Sequence, residues 1–219
     1  MPFDLSLIAN IPGWLTTREA NLLYALATKC TGKGVILEIG SWKGRSTVCL
    51  ARGSLDGASV PVFAVDPFTG SSEHGDVYTY PEFKRNIEAA GVANVVTAIQ
   101  KPSGEAAKGW SKPIELLWID GAHEEEFVRI DFDAWAPHLI EGGVIAFHDS
   151  TDPGPWKVIH EKLFFGKDFH SIRFVHGITW AVKGKATPIR NFVMMALCNL
   201  KYRLWTIKKT LKKRGIVVA

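Results

Sequence analysis

The chain has 219 residues, of which 47% are hydrophobic and 22% are charged, so it can build one sizeable core and not comfortably two. The three cysteines, Cys30, Cys49 and Cys198, are odd in number, widely spaced and set in apolar surroundings. That pattern favours reduced, buried thiols over a disulfide or zinc framework and indicates the cytosol. The amino-terminal segment has neither a basic start nor a long apolar run, so we expect no signal peptide and no transmembrane helix.

The first predicted strand ends in a glycine turn, because residues 35–47 read VILEIGSWKGRST. Such a turn directs backbone N–H groups and a helix N-terminus at a small molecule. A dinucleotide site would need a bare glycine where Trp42 stands between Gly40 and Gly44. Glu38 would also repel phosphate but attract the ammonium group of S-adenosylmethionine (SAM). The turn therefore favours SAM, with a purely structural tight turn as the alternative.

A second apolar run, VFAVD at 62–66, ends in Asp66, which lies 26 residues beyond Gly40 (66 − 40). At that position a parallel strand places a carboxylate on the ribose hydroxyls of a nucleotide-type cofactor. The alternative is a turn aspartate before Pro67. After the EIGSWKG turn, we interpret Asp66 as the ribose ligand.

The remaining chain alternates between strand and helix patterns, which predicts a parallel sheet covered on both faces. Helical spacing of Phe127, Ile130, Ala134 and Trp135 predicts a core face for one helix. The predicted strands are 95–100, 114–120 and 143–148, with helices at 82–90, 123–138 and 156–165 and an antiparallel hairpin at 171–182.

Four motifs in order, EIGSWKGRST, AVDPFTGSSEHG, LLWIDGAHEEEFVRIDF and LIEGGVIAFHD, resemble the class I SAM-dependent methyltransferases over about 35–182. The pattern is most similar to methyltransferase family 24, related to the cephalosporin-biosynthesis and macrolide-sugar O-methyltransferases. The resemblance implies an α/β fold: a Rossmann-like, doubly wound, seven-stranded sheet, mostly parallel with an antiparallel last strand and helices on both faces. We expect a methyltransferase domain with an N-terminal helix at 1–185 and a tail at 186–219.

The resemblance also implies a cofactor site. Asp66 would hold the ribose, Ser103 would lie near the adenine, and Asp120 would face the reacting methyl group. The alternative for Ser103 and Ser46 is helix capping. The residues expected around the methionine half are Glu38, Gly40, Ser41, Trp42, Gly44 and Ser46.

Catalysis is predicted at the ends of two neighbouring strands, which bring Asp120, His123, His148 and Asp149 to one crevice. His123 would take the proton of an acceptor hydroxyl, the alternative being a helix residue paired with a nearby glutamate. A divalent ion on Asp120 and Asp149 is also predicted. Mg²⁺-binding relatives carry acids in these two places, and His148 as a further ligand would shift preference towards Mn²⁺.

The predicted activity is O-methylation of a hydroxyl on a small molecule or glycan precursor. The motif for amino-group methylation is absent, since the position after the fourth strand reads DGAH. Three alternatives stay open: a SAM-binding protein without transferase activity, an RNA methyltransferase, and a related fold that hydroxylates or hydrolyses its substrate.

The tail is strongly basic. Residues 169–219 contain 11 Lys or Arg and no Asp or Glu, whereas the preceding residues carry 15 basic and 22 acidic side chains. An apolar stripe at helical spacing predicts a basic amphipathic helix, which suits an anionic membrane surface. We expect a cytoplasmic protein that contacts the inner face of the membrane. Burial of the stripe against the body or a second subunit is the alternative, and no RNA-binding module accompanies the helix. The stripe comprises Val193, Leu197, Leu200, Leu204, Ile207 and Leu211.

Overall fold

The computed structural model describes residues 2–71, 75–186 and 188–213. A seven-stranded sheet forms its centre, and a short two-stranded ribbon, β3 (Gly70–Ser71) with β4 (Gly75–Asp76), lies outside it. The strands of the central sheet are β1 (Val35–Ile39), β2 (Val62–Val65), β5 (Val96–Ile99), β6 (Ile114–Ile119), β7 (Leu139–Phe147), β8 (Phe169–Val175) and β9 (Ile178–Lys183).

The strand order is β5-β2-β1-β6-β7-β9-β8, and β9 alone runs against its neighbours β7 and β8. The predicted doubly wound fold and its closing hairpin are therefore confirmed. The order reverses between β1 and β6, which pair in parallel although they are distant in the chain. Ligands of open α/β sheets bind at this kind of switch point, beyond the carboxyl ends of the strands.

Helices cover both faces because β1 is buried at every position and needs apolar partners on each side. One face packs around Leu50 and Trp118, and the other around Trp135 and Phe147. A π-helical turn at His160–Phe164 extends the helix Pro153–Ile159. The helices are α1 (Thr17–Thr28), α2 (Arg45–Asp56), α3 (Tyr80–Ala89), α4 (Ser103–Ala106), α5 (Glu125–Trp135), α6 (Pro153–Ile159) and α7 (Pro188–Lys213).

The core face of α5 differs from the prediction. Trp135 is buried as expected, but Phe127 and Ile130 are 45% and 48% exposed. The buried face instead runs through Val128 and Phe132, one or two residues along the helix. The helix is thus rotated about its axis relative to the prediction, and Phe127 lines a cavity instead of packing in the core.

All three cysteines are buried thiols, as the sequence predicts. Cys198 lies on α7, so part of the predicted tail packs on the body. Asn191 of the same helix is fully buried and its side-chain amide donates to the carbonyl oxygens of Leu163 (3.2 Å) and Phe169 (2.9 Å). Within the described ranges, no helix combines the length and apolarity needed to cross a bilayer. The domain boundary at 185 stays a prediction.

Candidate active site

A cavity of about 620 Å³ opens at the carboxyl ends of the strands, in the size range of small-molecule sites. The loops after β1, β2, β6 and β7 and the amino-terminal segment around Trp14 form its walls. It brings together most of the predicted site residues, and Glu38 and Gly44 are not among its lining residues. The predicted residues that line it are Gly40, Ser41, Trp42, Ser46, Asp66, Ser103, Asp120, His123, His148 and Asp149.

The turn after β1 touches the end of β6 through backbone alone. Gly40 has a φ of +82°, and a Cβ there would lie 2.1 Å from the carbonyl oxygen of Asp120. Only glycine allows this approach, which joins the predicted cofactor turn to the predicted catalytic strand end. Gly44, with a φ of +88°, is the N-cap of α2.

Asp66 holds the same turn from the side of β2. One carboxylate oxygen accepts the N–H groups of Ser41 and Trp42, both at 2.8 Å, and the other accepts the N–H of Phe68 at 2.5 Å. Because a carboxylate offers about four lone-pair sites, Asp66 retains capacity to accept ribose hydroxyls. The structure therefore places the predicted ribose ligand in the cavity wall and gives it a second role in shaping the turn.

Glu38 lies behind the cavity wall and is fully buried. Its carboxyl group accepts the hydroxyls of Ser41, Ser46 and Thr47. Burial disfavours the charged form more than these hydrogen bonds favour it, which raises the pKa of Glu38 to about 7. The group thus orients two serines that line the cavity. Ser46 is not a cap, since Gly44 holds that position.

The cavity lining also contains Ser103 and an acid that the sequence did not predict, Asp131. Ser103 is the first residue of α4 and not its N-cap, and its hydroxyl accepts the indole N–H of Trp135 at 2.8 Å. Burial raises the pKa of Asp131 to about 6, against the lowering effect of a hydrogen bond with Ser103. An aspartate between the core positions Val128 and Phe132 was the signal available in the sequence.

His148 occupies the centre of an acidic cluster. Its Nδ1 lies 3.0 Å from Oδ1 of Asp120 and 3.1 Å from Oδ2 of Asp149, and its Nε2 lies 3.9 Å from Oε2 of Glu19. Burial opposes the charged ring, but the three carboxylates outweigh it and raise the pKa of His148 well above its usual value. His148 is therefore held among three acids that favour its protonated form.

Glu19 is the second residue that the sequence reasoning missed. It forms a capping box with Thr16 at the start of α1, and its side chain also accepts the N–H of Gly177 at 2.8 Å. Burial opposes its ionisation, but His148 and these backbone donors hold its pKa below the usual value. Glu19 is 158 residues from Gly177 in sequence, so no local sequence pattern predicts this contact.

His123 lies in the loop between β6 and α5. Its Nε2 is 3.8 Å from Oδ2 of Asp149, and its Nδ1 is 3.7 Å from Oδ2 of Asp152. Asp149 adopts a φ of +37°, a strained conformation for a residue other than glycine, and such strain clusters at functional sites. The imidazole thus faces the cavity between two carboxylates that can orient it.

The structure groups a possible set of metal ligands that differs from the predicted set in one residue, with His123 in place of His148. Asp120, His123 and Asp149 each offer a ligand atom, and these atoms lie within 4.8 Å of one another. The ring of His148 contacts both carboxylates and would compete with a divalent ion for their oxygen atoms. The metal ligands Asp120, Asp149 and His148 stay a prediction.

A family model described as a methyltransferase domain matches residues 37–150, more than half of the chain. The chain belongs to this family. The predicted family is therefore confirmed, and the matched segment runs from β1 to the end of the acidic cluster. This methyltransferase domain contains all of the predicted site residues, and Glu19 and Trp14 precede it.

Solved structures share the fold at low sequence identity. The O-methyltransferase NovP is 15% identical, with a TM-score of 0.67 over 81% of this chain and 84% of that chain. An O-methyltransferase from Bacillus cereus in complex with S-adenosylhomocysteine (SAH) is 19% identical, with a TM-score of 0.63 over 84% and 93%. CalS11, a TDP-rhamnose 3′-O-methyltransferase, is 18% identical, with a TM-score of 0.56 over 76% and 77%.

One curated relative is the uncharacterised protein y4gI of Sinorhizobium fredii. It is 29% identical over 118 residues, which are 52% of this chain and 13% of that protein. The match thus spans about an eighth of the relative's length, and y4gI carries no functional assignment to compare.

Proposed function

We propose that the chain is a SAM-dependent O-methyltransferase that acts on a hydroxyl of a small molecule or glycan precursor. The observation that carries the proposal is the cavity of about 620 Å³ at the switch point of the sheet. The Gly40 turn, Asp66, and His123 with its two carboxylates all line this cavity. Family membership supports the same reaction class.

The residues present fit the cofactor. Asp66 has acceptor capacity for ribose hydroxyls, and Ser41 and Ser46 line the wall where the methionine half would bind. Ser103 and Asp131 would hold the adenine, whose exocyclic amine needs an acceptor. When bound, SAM supplies an electrophilic methyl group on a sulfonium. The Bacillus cereus neighbour, which shares the fold, was solved with the demethylated product SAH.

The chain's own contribution to the chemistry is proton removal. An alcohol is a weak nucleophile until its proton leaves, so a base must stand beside the acceptor oxygen. His123 accepts that proton on one ring nitrogen, while Asp149 and Asp152 orient the ring and stabilise the imidazolium that forms. The acceptor oxygen forms its bond to the methyl carbon as the carbon–sulfur bond breaks, and charge balances.

Aromatic side chains at the cavity support a ring-shaped acceptor. The rings of Trp14 and Trp42 lie 4.9 Å apart and are tilted by 31°, and Trp14 is 63% exposed. Phe127 adds a third apolar face to the lining. Sugar and phenol rings pack well on such faces. The description of CalS11 as a TDP-rhamnose 3′-O-methyltransferase makes sugar nucleotides the first acceptors to test.

The test is a coupled assay that measures SAH release from SAM with a panel of sugar nucleotides and catechols. Mass spectrometry locates the added methyl group, and matched amino analogues serve as controls. We expect SAH release that depends on a hydroxyl acceptor and a product methylated on oxygen. Methylation of the amino analogues alone would contradict the proposal, and SAH release no faster than without acceptor would favour a SAM-binding protein.

A further inference from the structure

The first half of α7 exposes a continuous apolar face. Two parallel rows, each with a spacing of four residues, place these side chains on one side of the helix. The large members are between 46% and 80% exposed, and Ala196 lies between two of them. The rows are Ile189, Val193 and Leu197, and Phe192, Ala196 and Leu200.

This face is directed away from the protein because the opposite side of α7 is anchored. Asn191 is fully buried and hydrogen-bonded to two backbone carbonyls, and Cys198 is 3% exposed within the core that includes Trp135. Both anchors lie within the stretch of the helix that carries the exposed rows. The orientation of the apolar face is thus fixed by packing.

Charge decides which surface suits this face. The helix Pro188–Lys213 contains seven Lys or Arg residues and no Asp or Glu. An apolar helix face accompanied by basic residues matches an anionic bilayer, which offers both acyl chains and negative headgroups. A second copy of the chain would instead bring two cationic helices together, and their repulsion opposes that contact.

We propose that α7 is an interfacial helix that binds the surface of an anionic lipid bilayer. Its 26 residues extend about 39 Å, and the helix lies in the plane of the membrane with the two rows facing the acyl chains. The function is separate from methyl transfer, since none of these side chains lines the cavity.

The test is flotation of the 219-residue chain with phosphatidylcholine vesicles that contain or lack phosphatidylglycerol. The variant carries Phe192→Gln and Leu200→Gln, which preserve net charge and helix propensity. A matched control, Val77→Gln with Ile130→Gln, removes two half-exposed apolar residues from the body. Circular dichroism melting checks that each variant folds, which we expect because the replaced side chains are exposed.

We expect the wild type to float with phosphatidylglycerol vesicles and the α7 variant to lose at least about tenfold in partition coefficient. The control should partition like the wild type, and added salt should weaken binding of both. Equal flotation of the α7 variant, absence of flotation of the wild type, or indifference to phosphatidylglycerol would overturn the proposal. A wild-type dimer in analytical ultracentrifugation that the α7 variant dissociates would assign the face to a second copy.

Discussion

Gly40→Ala is expected to lower the free energy of unfolding by more than about 4 kcal/mol, the range reserved for severe backbone and core defects. A Cβ at this position would lie 2.1 Å from the carbonyl oxygen of Asp120 and 2.5 Å from its carbon. These are backbone atoms, so no side-chain rotation relieves the clash. The ends of β1 and β6 must separate, and the cavity loses its shape. Equilibrium unfolding in urea measures the loss.

Gly109→Ala is the matched control for this prediction. Gly109 has a φ of +80°, close to that of Gly40, but a Cβ there meets nothing within 4 Å. The control should therefore cost only the penalty for a left-handed non-glycine residue, about 1–2 kcal/mol. The difference between the two variants isolates the close approach of the strands. Equal losses would show that Gly40 is needed for its conformation alone and that the strand ends do not meet as described.

His123→Ala should reduce kcat by about 10²–10⁴-fold, the usual contribution of a positioned general base. SAM affinity should stay within a few-fold of wild type, because His123 faces Asp149 and Asp152 and not the Gly40 turn. Steady-state kinetics with the best acceptor measures the first quantity and calorimetric titration with SAM the second.

His170→Ala provides the control for that measurement, since this histidine lies on β8 outside the cavity and contacts Ser171. Its kcat should match the wild type. If His123→Ala binds SAM weakly and turns over normally at saturating SAM, the residue belongs to the cofactor site. If both parameters are unchanged, the proton leaves by another route.

The fold was predictable because its signals are local. The apolar runs that end at Ile39 and Val65 predict parallel strands, and parallel strands bring their carboxyl ends to one edge. From that rule alone, Gly40, Asp66 and Asp120 are expected at the same edge of the sheet, and in the structure all three line one cavity.

Features that depend on contacts between distant residues could not be predicted in this way. Glu19 joins the acidic cluster through Gly177, and no spacing in the sequence relates the two. The orientation of the Glu38 side chain also depends on three hydroxyls. One comes from the turn at Ser41, and the other two come from α2, at Ser46 and Thr47. On α5, the helical spacing is compatible with two apolar faces that both include Trp135, one through Phe127 and one through Val128. Only packing against the sheet determines that Val128 is buried and Phe127 is not.

Calorimetric titration of the chain with SAM tests most directly whether this cavity is a cofactor site. We predict a saturable one-to-one complex that SAH displaces by competition, since the Gly40 turn and Asp66 line the cavity and would recognise parts common to both molecules. A titration with no saturable heat at any temperature, matched by no thermal stabilisation of the chain at saturating SAM, would contradict the methyltransferase assignment of the site.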